Sequence, residues 1–76
     1  MTDDEVIEEK LKVATRVYPI MKFFTYAHLP PALREVSRNF AVLAGVMASQ
    51  DRNAETSAGL RKLLEAKDCA VRAALP

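Results

Sequence analysis

The chain has 76 residues, half of them hydrophobic, and 11 basic against 10 acidic side chains leave a net charge of +1. One cysteine, Cys69, excludes an internal disulfide, and one histidine, His28, leaves too few soft ligands for a structural zinc site. The balanced charge gives little attraction for polymeric nucleic acid, and no apolar run reaches the roughly 18 residues of a membrane span.

A chain this short buries too little apolar surface to be comfortably stable alone. Without disulfide or metal, association with further chains is the expected remedy. The lone thiol suits a reducing compartment. The acidic start, Asp3-Asp4-Glu5, is the reverse of a basic signal-peptide leader. A cytoplasmic protein is the expectation.

The first helix is predicted from Asp3 to about Val17. Thr2 and Glu5 have the spacing of a capping box, and the acids at 3, 4 and 5 face the positive end of the helix dipole. Ile7, Leu11, Ala14, Tyr18 and Met21 recur at helical spacing and form one apolar stripe. Pro19 interrupts it, so a break near Val17-Tyr18 and a second short helical stretch over Pro19–Phe24 are predicted. Pro30 and Pro31 force an extended connection, and Pro31 suits the first turn of the next helix.

That second main helix is predicted over Pro31–Ser49. Leu29, Leu33, Val36, Phe40, Leu43 and Met47 make a heptad-like seam, and Ala44, Gly45 and Ala48 are small enough for a close backbone approach. Gln50-Asp51-Arg52-Asn53 reads as a polar turn in which Asp51 or Asn53 caps the third helix. That helix is predicted over Ala54–Ala74, with Leu60, Leu63, Leu64, Ala70, Val71 and Leu75 on its apolar face. The fold class is therefore all-α, one domain over residues 1–76, with about three helices assembling into a homo-oligomeric bundle.

Catalytic machinery is not indicated. His28 is the sole imidazole and sits beside a Pro-Pro turn, so no base is marked for a nucleophile among the serines or Cys69. Charge distribution is more informative. Residues 1–10 are acidic, whereas residues 16–38 carry Arg16, Lys22, Arg34 and Arg38 against Glu35, together with four of the five aromatic residues. Basic and aromatic groups together suit a ligand with phosphates and flat rings. Arg34, Ser37 and Arg38 share one helical face. Arg61, Lys62 and Lys67 form a second basic group, in which Arg61 and Glu65 have ion-pair spacing.

The stretch from Phe23 to Phe40, with its Phe24-Thr25-Tyr26-Ala27-His28-Leu29-Pro30 element, resembles a family of small phage proteins, the anti-CBASS sponges. So does Leu60–Ala73, with Leu60-Arg61-Lys62-Leu63-Leu64-Glu65-Ala66-Lys67-Asp68. The resemblance implies helical hexamers that sequester, without cleaving, the cyclic oligonucleotide messengers of a bacterial defence, in the cytoplasm of the infected host. It implies cyclic dinucleotides in pockets between pairs of chains and cyclic trinucleotides where three chains meet. Carried over residue by residue, it places Phe23 as the base-stacking ring and Arg38 as the phosphate-binding cation, with Tyr26, His28 and Ser37 about the same pocket. Arg61 and Lys62 are assigned to the trinucleotide pocket. No cofactor is implied. Phe23 stands where the family commonly has tyrosine, Arg38 where it often has lysine, and Asn39 where it commonly has proline. The competing reading is a helical protein–protein interaction module that uses the apolar seams and makes no demand on Arg38.

Overall fold

The computed structural model describes residues 1–76. The chain is all-α: α1 (Asp3–Thr15), a 3-10 segment (Pro19–Phe24), α2 (Pro31–Ala48) and α3 (Ala54–Ala73). No helix is long and apolar enough to cross a membrane.

Local chemistry accounts for the start of each element and for the end of α1. Thr2 and Glu5 form the predicted capping box, with the Thr2 hydroxyl accepting from the Glu5 amide and the Glu5 carboxylate accepting from the Thr2 amide. α1 stops at Thr15, a little before the predicted Val17, because Pro19 drives Tyr18 into extended backbone (φ −123°, ψ 94°). The same proline starts the 3-10 turn. Pro30 is extended ahead of Pro31, which opens α2 at its first turn. Asn53 caps α3 by accepting from the Thr56 amide at 2.9 Å.

α2 is the central element. α1 and α3 both pack on it, and the 3-10 segment touches all three helices. The stripe read from the sequence holds: Leu11, Tyr18 and Met21 are buried, and Ile7 and Ala14 pack against them. Phe24, Tyr26 and Leu60 complete the large members of this core.

The α2 seam needs correction. Its buried centre is Ser37, Ala41 and Ala44, while Leu29, Phe40 and Met47 pack against the core partly buried and Leu43 is 47% exposed. Ala41 and Ala44 share the core with Met21 and Phe24 of the 3-10 segment, so α2 turns small residues inward where the space is filled by bulky neighbours. The Gly59 face of α3 is equally tight: a Cβ there would stand 2.8 Å from Met47 Cε. Leu75, expected on the apolar face of α3, lies past the helix end and is 52% exposed.

The molecule is a slab of 37 × 29 × 15 Å. Its accessible surface is 5165 Å². A folded monomer of 8.4 kDa normally exposes about 4600 Å². Among the large hydrophobic side chains left exposed are Val13, Val17, Val42, Leu43 and Val46.

Candidate ligand-binding site

The acidic start of α1 lies against the aromatic-basic centre of the chain. Asp4 and Glu8 are one helical turn apart and share a face. Asp4 Oδ1 accepts from the Tyr26 hydroxyl at 2.7 Å and from Arg38 Nε at 3.1 Å. Glu8 Oε1 accepts from the backbone amides of Tyr26 and Ala27, each at 3.3 Å. These four bonds fasten the Tyr26–Ala27 turn and the first half of α2 to α1.

The electrostatics follow from that geometry. The Tyr26 hydroxyl, then the Arg38 guanidinium, hold the Asp4 carboxyl below the usual carboxylate range, with Arg34 adding a weaker pull. Burial first, then the Asp4 carboxylate, pushes the Tyr26 phenol up to about 12. Arg38 is raised by the same bond to Asp4.

The residues expected at a dinucleotide pocket therefore divide. Tyr26 is 1% exposed and its polar atom is engaged by Asp4. Ser37 is wholly buried, and its hydroxyl has no hydrogen-bond partner. The face that Arg34, Ser37 and Arg38 were expected to share is thus split, because packing rotates Ser37 toward the core. Arg38 remains partly open, with 39% of its side chain exposed. His28 is exposed on the turn before Pro30. Phe23 is 53% exposed, and the Lys22 ammonium lies 5.1 Å from its ring centroid.

In the second basic group, Lys67 turns inward. It donates to the Phe23 carbonyl at 3.0 Å, which satisfies an end carbonyl of the 3-10 segment, and also pairs with Asp68 at 3.6 Å. The ion pairs of the chain are Arg38–Asp4 and Lys67–Asp68, so the expected Arg61–Glu65 pair is not formed. Arg61 instead lines a hollow of about 340 Å³ with Arg52, Ser57 and Tyr18. Lys62 is exposed and does not line it.

The larger hollow, about 570 Å³, runs between α1 and α2 and is mostly apolar. Neither hollow includes Phe23, Tyr26, His28, Ser37 or Arg38. No three acidic, histidine or cysteine side chains gather as they would for a metal ion.

Comparison with protein-family models, curated proteins and solved structures gives no match to this chain.

The long-range partners of Asp4 and Glu8 are what sequence reasoning missed. The available signal was their four-residue spacing on the acidic segment, opposite a basic one. Between residues 1–10 and 16–38 the fold makes one ion pair, Asp4–Arg38, and three hydrogen bonds from Tyr26 and Ala27 to the acids.

Proposed function

We propose that the protein binds and sequesters a small cyclic oligonucleotide without cleaving it, as a homo-oligomer in the cytoplasm of an infected bacterium. The resemblance of Phe23–Phe40 and Leu60–Ala73 to the anti-CBASS sponges supplies the ligand class. The observation that carries the reading is the exposed Phe23 ring, with a cation over it and a partly open Arg38 elsewhere on the same small surface.

A cyclic dinucleotide carries two phosphates and two flat bases. A two-fold pocket between chains supplies each stacking ring and each cation twice. Stacking contributes about 1–3 kcal/mol per base, and charge-assisted hydrogen bonds about 1.5–3 kcal/mol each. Two of each sum to about 5–12 kcal/mol, a range whose upper end corresponds to nanomolar binding. Phe23 stacks, Arg38 binds phosphate, and His28 borders the pocket. Tyr26 and Ser37 shape it from inside the chain. Arg61, with Lys62 beside it in sequence, serves a trinucleotide pocket among three chains, and a hexamer accommodates both pocket types.

The test is native mass spectrometry with a panel of cyclic di- and trinucleotides, followed by heat release of whatever is bound. A retained cyclic ligand recovered intact supports the proposal. Recovery of linear product would replace it with a phosphodiesterase. Indifference to every cyclic oligonucleotide would favour the second reading, a helical interaction module docking through its exposed valines and Leu43. Phe23→Ala and Arg38→Ala should weaken dinucleotide binding, and Arg61→Ala trinucleotide binding selectively. Wild-type affinity in a variant removes that residue from the site.

A further inference from the structure

We propose that the hollow between the 3-10 segment and the first half of α3 binds a phosphate group carrying two negative charges, either a phosphomonoester or free phosphate. One chain completes this site without its neighbours. Of its residues the function proposed above uses Arg61 alone, and the site stands on its own geometry.

The fold brings two cations together there without an acid. Arg52 directly precedes Asn53, the N-cap of α3, and Ser57 and Arg61 follow on that helix one turn apart, on one face. All three are exposed and line the same hollow of about 340 Å³, and no aspartate or glutamate lines it with them. Neither guanidinium is neutralised within the chain, whose ion pairs are Arg38–Asp4 and Lys67–Asp68. Arg52 also stands at the positive end of the α3 dipole, which favours an anion and disfavours a cation. A bound dianion relieves both the repulsion between the guanidiniums and that between Arg52 and the helix.

The walls strengthen the attraction. Pro19 and Ile20 make one side apolar, and Tyr18, which is only 8% exposed, ties the hollow to the core. Apolar walls around charges of one sign focus their field on whatever enters. The Tyr18 hydroxyl has no hydrogen-bond partner, so this wall residue holds a polar group that nothing in the chain uses. Guanidinium forks match pairs of phosphate oxygens, and the Ser57 hydroxyl adds a further donor. The volume lies at the small end of the roughly 300–1,000 Å³ of ligand pockets. That suits a phosphate with a small organic group.

The experiment is an NMR titration of the full chain with inorganic phosphate, against sodium chloride at equal ionic strength. It is run at about pH 8, where phosphate is a dianion. The amides of Arg52, Ser57 and Arg61 are expected to shift saturably with phosphate and not with chloride. Tighter binding of phenyl phosphate would assign a monoester, and weaker binding free phosphate. Dimethyl phosphate, with one charge, is expected to bind about tenfold more weakly. Arg52→Ala and Arg61→Ala should each lose about tenfold in phosphate affinity with helicity unchanged, since both side chains are exposed. Lys12→Ala, an exposed charge outside the hollow, should keep it. Shifts that do not saturate, equal binding of dimethyl phosphate, or an equal loss in Lys12→Ala would overturn the site. Should either alanine unfold the chain, Arg52→Gln and Arg61→Gln repeat the test. Titration with a cyclic trinucleotide runs in parallel. Phosphate bound by a chain indifferent to trinucleotides would sink the trinucleotide reading and leave this site standing. A trinucleotide bound by a chain that ignores phosphate and its monoesters would do the reverse.

Discussion

The phenol of Tyr26 donates a 2.7 Å hydrogen bond to the carboxylate of Asp4, twenty-two residues earlier in the chain. Tyr26 is a core residue, whereas Asp4 sits in the first turn of α1. The bond joins the two, and Arg38 joins α2 to the same carboxylate oxygen.

Burial of the Tyr26 phenol and that bond together make stability depend on pH at both ends of the scale. The folded state holds the Asp4 carboxyl low, so its contribution is present above the ordinary carboxylate pKa and is lost as pH falls through the depressed value. It also holds the Tyr26 phenol at about 12 against an ordinary 10.0, so that contribution is complete below pH 10 and is lost as pH rises toward 12. Thermal unfolding across pH 9–12 should show a fall in Tm that is smaller in Tyr26→Phe. Identical alkaline slopes would show that Tyr26 is not its source. At pH 7 the same substitution should cost roughly 1.5 kcal/mol.

Asp4→Asn tests whether the carboxylate competes with ligand for Arg38. It is expected to lower Tm and, under the proposed function, to bind cyclic dinucleotide several-fold more tightly. A loss of affinity matching Arg38→Ala would show instead that Asp4 positions the guanidinium productively.

Ser37→Ala is expected to stabilise the protein by about 1–2 kcal/mol. The hydroxyl is buried without a partner, and alanine removes that desolvation cost while raising helix propensity. Urea denaturation with an unchanged m-value checks it. A destabilised variant would mean that the hydroxyl has a partner in solution.

The α2–α3 contact predicts a graded response. Leu60→Ala should cost about 2–5 kcal/mol, because Leu60 is completely buried. Gly59→Ala should be close to neutral: the helix-propensity gain of about 1 kcal/mol is offset by moving the flexible end of Met47. Gly59→Leu should destabilise clearly, since no such movement accommodates it. Equal Tm values for Gly59→Ala and Gly59→Leu would refute the close contact.

The helices were legible because their signals are local. Thr2 with Glu5, Pro19, the Pro30-Pro31 pair and Asn53 each act within a turn of their own position, and the Ile7-to-Met21 stripe marks a core face whose bulky residues have nowhere else to go. Of the residues expected at a ligand pocket, Phe23 and Arg38 are accessible and Tyr26 and Ser37 are interior, a division that residue spacing alone does not reveal.

The order of residues alone was enough for the helices, their ends and the thinness of the core, because backbone geometry, caps and chain length are properties of neighbouring residues. The rotation of α2 and the partners of Asp4, Glu8 and Lys67 emerged only with the packed chain. Alanines carry a weak hydrophobic signal yet permit the closest packing, so the inward face of α2 is set by what fills the space beside it. A carboxylate near a helix start serves the helix dipole equally well wherever it points; it takes Tyr26, Ala27 and Arg38 arriving from elsewhere in the chain to turn Asp4 and Glu8 into the clasp of the fold.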